Sequence, residues 1–144
     1  MSAFADSSAL VKLYVDEDGH EEARAIAILA VSQIARVEVP AAFWRKHRIG
    51  ELEADDARVL AAEFEADYYG TTEEPARFAV VAVTDGILDH AARLCARFPL
   101  RAYDAIQLGS ALAAQAADPG LSAISAFDTT IRKAAAAEGL ALSP

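Results

Sequence analysis

The chain has 144 residues, of which 54% are hydrophobic and 24% charged, with seven glycines and five prolines. That composition supports one packed domain over 1–144 and excludes a disordered or collagen-like chain. The formal charge of −9 argues, taken alone, against a nucleic-acid partner, whose phosphates want a basic surface.

Short apolar runs alternate with helical patterns from end to end. Residues 3–6 predict a short strand in which alanine replaces bulkier residues. Residues 7–15 predict a helix with Leu10, Leu13 and Tyr14 on one face, punctuated by Asp18 and Gly19. A second helix is expected over 21–28, and a buried strand over 29–32. Residues 34–49 predict a helix disturbed at Pro40. Residues 52–68 predict an amphipathic helix with Leu52, Val59, Leu60, Phe64 and Tyr68 in one stripe. The stretch 51–75 carries nine acids against Arg58 alone. Most of the excess charge is therefore one solvated face, and the rest of the chain is nearly neutral. A polyanionic substrate remains admissible on another face, while the acidic one suits a basic partner. Residues 78–83 form a β-branched run closed by Thr-Asp-Gly, the clearest strand signal. Helices are expected over 85–98 and 103–117, the latter apolar almost all round and so buried. A strand over 121–125, a helix over 129–138 stopped by Gly139, and an edge strand over 140–142 complete the chain.

Strands separated by helices imply a parallel sheet of about five strands covered on both faces, a three-layer α/β/α architecture. Ligands of such sheets bind beyond the carboxyl ends of the strands. The single cysteine, Cys95, excludes an internal disulfide and a thiolate cluster, and it reads as a small buried hydrophobe. The longest uncharged stretch, 105–117, is too short for a membrane span. The first residues lack the basic and apolar regions of a signal peptide, so a cytoplasmic location is expected.

Four acids fall where a site is expected. Asp6 ends the first strand and Asp128 follows the run Ala123-Ile-Ser-Ala-Phe; each also reads as a plain helix N-cap. Asp104 heads the most apolar helix, with no other charge between Arg101 and Asp118. A buried carboxylate there needs a cation or strong donors. Glu38 lies six residues after Ser32, between Val37 and Val39. Alone it reads as a solvated helical residue, although its neighbours favour an inward position. Together the four converge beyond one edge of the sheet. Clustered carboxylates repel, and a cation resolves the repulsion. Oxygen ligands suit Mg²⁺ or Mn²⁺. His20, His47 and His90 are scattered and offer no zinc spacing.

Among magnesium enzymes, a receiver domain wants a lysine after a late strand, and a haloacid-dehalogenase-type phosphatase wants Asp-x-Asp where this chain has Asp6-Ser7-Ser8. A P-loop is absent. An acid cluster whose metal activates water against a phosphodiester fits. The segments Asp6-Ser-Ser-Ala-Leu-Val-Lys-Leu-Tyr, Ser32-Gln-Ile-Ala-Arg-Val-Glu38, Leu100-Arg-Ala-Tyr-Asp104-Ala-Ile-Gln-Leu and Phe127-Asp128 resemble those of PIN-domain ribonucleases, and most of all VapC-type toxins of toxin–antitoxin modules. The resemblance runs the whole chain.

It implies a five-stranded parallel sheet and a divalent-metal-dependent endoribonuclease that cleaves specific RNA. Carried over by position, Asp6, Glu38, Asp104 and Asp128 match the family's acidic quartet, with Asp6, Asp104 and Asp128 at the metal. Ser7 matches the small polar residue that positions water or phosphate. The implied partners are an RNA substrate, an antitoxin with a basic segment, and a second copy of the chain. Arg45, Lys46, Arg48, Arg93, Arg97 and Arg101 are candidates for RNA contact, each also readable as part of a solvated helix face. Leu13, Tyr14, Phe43 and Trp44 could line an antitoxin groove, though core packing is the plainer reading. A non-toxic PIN protein that processes or binds RNA, and a binding module with an inert acidic pocket, are the alternatives.

Overall fold

The computed structural model describes residues 2–144. The elements in chain order are β1 (Ser2–Ala5), α1 (Ser7–Tyr14), α2 (His20–Arg24), β2 (Ala27–Ser32), α3 (Ala35–Arg48), α4 (Ala54–Tyr69), β3 (Ala79–Val81), α5 (Asp85–Arg97), α6 (Ala102–Ala117), β4 (Ala123–Ser125), α7 (Thr129–Ala137) and β5 (Ala141–Leu142). The strands form one parallel sheet in the order β3-β2-β1-β4-β5. No described helix is long and apolar enough to cross a membrane.

The central strand explains the layers. Side chains alternate across a strand, so Ala3 and Ala5 of β1 face one side and Phe4 the other. Ala3 and Ala5 join Leu10, Val31, Phe43 and Phe64 in one cluster under α1, α3 and α4. Phe4 joins Leu108, Ile124 and Ile131 under α6 and α7 in the second. The alanines of β1 are fully buried because β1 has a neighbour on each edge and helices on both faces. Ala5 pairs in register with Val31 and Ser125, so β1, β2 and β4 end side by side. The Asp6 N–H donates to the Ser125 carbonyl at 3.1 Å and ties those ends together.

Five details differ from the sequence expectation. β2 begins at Ala27, because sheet pairing with Ser2 claims residues whose alanine-rich run carries no decisive period, and α2 stops at Arg24. β3 shrinks to three residues, since it is an edge strand paired on one side only. Val59, in the predicted stripe, is exposed, while α4 buries Phe64 and Tyr68 as expected and Ala57 beside them. Cys95 is exposed, because α5 turns Ile87, Ala91 and Leu94 inward. α3 runs unbroken through Pro40.

Gly19 shows how a distant turn supports the strand ends. Its φ is +86°, and a Cβ there would stand 2.6 Å from Cε1 of Phe127. Gly19→Ala is expected to lower stability by at least about 1–2 kcal/mol from left-handed backbone alone. Urea denaturation measures this; an unchanged midpoint would refute it.

Candidate active site

The four acids arrive from four elements at the carboxyl end of the sheet. Asp6 is the N-cap of α1: its Oδ1 accepts from the Ala9 N–H at 3.1 Å and from the Ser8 hydroxyl at 2.6 Å. Ser8 Oγ also accepts from the Phe127 N–H at 3.2 Å, so one hydroxyl links Asp6 to the segment entering Asp128. Asp128 is the exposed N-cap of α7, accepting from Thr130 and Ile131. Glu38 lies in the first turn of α3 and Asp104 in the first turn of α6, both half-buried.

Glu38 is held from two sides. Its Oε1 accepts from Ser7 Oγ at 3.0 Å and from Gln107 Nε2 at 2.8 Å, while Gln107 Nε2 also lies 2.9 Å from Ser7 Oγ. Gln107 is buried, and its Oε1 has no hydrogen-bond partner. It sits three residues after Asp104 on the same face of α6. One amide thus locks the helices carrying Ser7, Glu38 and Asp104 together.

The electrostatics follow from this crowding. Burial pushes the Asp6 carboxyl up to about 6; the Ser8 and Ala9 hydrogen bonds oppose that shift, and Asp104 and Glu38 add repulsion. Glu38 is raised by burial against its bonds to Gln107 and Ser7, with Asp104 repelling it. Asp104 is raised by burial and by Asp128, and Arg101 partly offsets both. Asp104 is the member that repels, or is repelled by, each of the other three. Among the described residues, no Lys, Arg or His forms an ion pair with any of the four.

The donor set is all carboxylate oxygen, which suits a hard divalent cation. Among the described residues, however, no three such side chains already stand together as ligands of one ion. The chemistry of the set nonetheless fits a hard divalent cation.

The PIN domain family model matches residues 3–137. This chain belongs to the PIN domain family. PIN domains are in general nucleases, typically with divalent metals. Two solved structures share the PIN fold at low identity. One is a toxin–antitoxin complex from Klebsiella pneumoniae, with TM-score 0.56 and 19% identity over 88% of this chain and 87% of that one. The other is FitAcB from Neisseria gonorrhoeae, with TM-score 0.65 and 14% identity over 100% and 97%. No curated protein matches the sequence.

The PIN fold also sorts the other candidates. Lys46 is bound to Glu17 and Glu51, and Arg97 to Glu138, so neither cation is free. Arg45, Arg48, Arg93 and Arg101 have no described ion-pair partner. Phe43 is fully buried and lines no groove, while Leu13, Tyr14 and Trp44 pack partly buried against the same core. Gln107 and Ser8 are the participants that motif reading passes over. The spacing of Gln107 from Asp104, one helical turn on, is the one signal that could have found it.

Proposed function

We propose that this PIN domain is a Mg²⁺- or Mn²⁺-dependent endoribonuclease, acting as the toxin of a type II toxin–antitoxin pair. The observation that carries the reading is a cluster of four carboxylates at the carboxyl end of a PIN sheet, linked by repulsion through Asp104 and with no ion-pair partner among the described residues. Asp6, Asp104 and Asp128 would hold the ion. Once bound, a divalent cation neutralises charge on the phosphodiester and makes a coordinated water easier to deprotonate. Glu38, fixed by Ser7 and Gln107 and with raised proton affinity, is placed to accept a proton from the attacking water. The Ser7 hydroxyl, whose proton is held by Glu38, would orient that water by accepting from it, or a phosphate oxygen once its proton turns away from Glu38. Both solved neighbours support the toxin reading at the level of fold, and one of them is a toxin–antitoxin complex. A cognate antitoxin with a basic segment would supply the cation that the four acids lack. A second copy of the chain and a cytoplasmic location complete the proposal.

Cleavage of total bacterial RNA with mapping of new 5′ ends tests it. A few sharp ends that vanish with EDTA are expected, and their persistence in EDTA would sink metal dependence. Sharp cleavage without growth arrest on expression would move the reading to a non-toxic RNA-processing PIN protein.

Two further outcomes are expected. Mn²⁺ at a hundred times its dissociation constant should stabilise the fold by about 2.7 kcal/mol at neutral pH. The gain should shrink in acid, as the carboxylates take up protons. A Tm indifferent to Mn²⁺ would favour an inert acidic pocket. Gln107→Leu should cut cleavage roughly 10–100-fold, as loss of a group that orients active-site side chains does. Thermal stability should change little, since the unpartnered Oε1 leaves with the amide; full activity in the variant would show that Glu38 needs no such brace.

A further inference from the structure

Asp6 and Asp128 stand on different elements, yet each leaves the same single oxygen free. Asp6 Oδ1 accepts from the Ser8 hydroxyl at 2.6 Å and from the Ala9 N–H at 3.1 Å. Asp128 Oδ1 accepts from the Thr130 N–H at 3.0 Å and from the Ile131 N–H at 3.1 Å. A carboxylate oxygen has two lone-pair directions, so two donors close it. In both residues Oδ2 has no hydrogen-bond partner among the described residues. Asp6 is only 4% exposed, and still no donor of the fold meets its second oxygen. A buried carboxylate with an unmet oxygen is costly unless a group from outside the chain meets it.

The donors that close Oδ1 differ in kind. At Asp128 both are backbone N–H groups of α7, which no side-chain substitution removes. At Asp6 one is the Ser8 side chain, and Ser8 is itself held: its oxygen accepts from the N–H of Phe127, the residue before Asp128. The hydroxyl has one proton, and Asp6 takes it. Ser8 therefore fixes the orientation of Asp6 and ties it to the segment that delivers Asp128. Asp104 is different, since no hydrogen bond restrains its carboxylate among the described residues and both of its oxygens stay open.

Divalent cations ask different things of such a set. Ca²⁺ takes about six to eight oxygens in flexible geometry and readily uses both oxygens of one carboxylate. Mg²⁺ demands a near-ideal octahedron, keeps several waters and needs only one or two carboxylates. Mn²⁺ shares the octahedral oxygen preference. Two rigidly held carboxylates with one open oxygen each meet the second demand and deny the first. We infer that Ser8 is the positioning residue that sets metal specificity: by closing Asp6 Oδ1 it limits Asp6 to one metal-facing oxygen and biases the acid cluster toward Mg²⁺ and Mn²⁺ over Ca²⁺. Ser8 acts through Asp6. The inference rests on the metal-dependent reading above, and it adds which cation the site disfavours and which side chain imposes the choice.

The test titrates the full chain, freed of metal, with the chlorides of magnesium, manganese and calcium at neutral pH, read by calorimetry without RNA. Ser8→Ala leaves Oδ1 with the Ala9 N–H alone, so Asp6 can offer both oxygens to a large ion. The ratio of the Ca²⁺ to the Mg²⁺ dissociation constant should then fall about tenfold, a scale typical of losing the hydrogen-bond partner of a metal ligand. Ser8→Thr keeps the hydroxyl and should keep the ratio. Ser8→Cys substitutes a weak donor and should fall between the two. The thiol also leaves Phe127 an acceptor, so Ser8→Cys reads the effect even where Ser8→Ala loses its fold, which circular dichroism checks. An unchanged ratio in the folded variants overturns the inference. So does an equal loss of all three cations, which would make Ser8 a general support of the site, and so does a ratio moved as far by Ser8→Thr as by Ser8→Ala. Binding of Mg²⁺ or Mn²⁺ at a ratio independent of Ser8 removes this inference and leaves the metal-dependent reading standing. No binding of any of the three to the unmodified chain removes both.

Discussion

Asp104→Asn is expected to reduce RNA cleavage by at least about 10²–10³-fold, the scale on which removal of one group stabilising transition-state charge is felt. It should also relieve growth arrest on expression. Asp104 is the sharpest choice because it is the one carboxylate whose charge is felt with each of the other three, acting on Asp6 and Glu38 and acted on by Asp128. Asparagine keeps the shape and removes the charge. It therefore weakens the pull on a divalent cation without opening a cavity. The fold should not suffer, since losing one of several mutually repelling charges relieves strain. End-mapped cleavage and circular dichroism on the same preparation make the comparison. Undiminished cleavage by a folded variant would falsify the role given to the acid cluster.

The parts of this molecule that could be read from sequence are those set locally. Asp6 and Asp128 stand where a strand hands over to a helix, and both side chains do cap those helices. Capping and membership of the acid cluster are compatible, because a carboxylate has two oxygens and the cap uses one: Oδ1 in each case. The burial of the middle of α6, around Leu108 and Ala111, followed from its lack of charge, but the helix is not buried all round as its composition suggested: both ends, Tyr103 among them, are exposed. What could not be read depends on how distant elements cross. Gln107 reaches Ser7 across a hundred positions of sequence, and only the packing of α6 against the sheet decides that. The same holds for β3, whose valines announce a long strand while its edge position grants three residues. Val59 fits the apolar stripe of α4 by period, but α3 covers a narrower face than the stripe offers. Cys95 is exposed for a like reason: α5 buries one line of side chains, and the cysteine is not on it.

Asp6→Asn should separate stability from function in one protein. Asp6 is nearly inaccessible, and it binds its proton more tightly in the folded chain, at about 6 against an ordinary 3.8. Between those values the folded chain holds more protons than the unfolded one. Stability therefore falls as pH rises through that window and levels off above it. A gap of about two pKa units corresponds to roughly 3 kcal/mol lost by neutral pH. Asparagine cannot ionise, yet its carbonyl still accepts from Ser8 and Ala9. Without added metal, the variant should be the more stable protein at pH 7.5, with its advantage gone near pH 4. In Mn²⁺ the order should reverse, because only the ionised carboxylate gains from the cation. Urea midpoints across pH, with and without Mn²⁺, measure both effects. Parallel pH profiles for the two proteins would show that Asp6 carries no such burden. Reversed stability together with lost cleavage would show that this fold keeps a destabilising buried charge for the sake of its chemistry, a trade that functional sites commonly make.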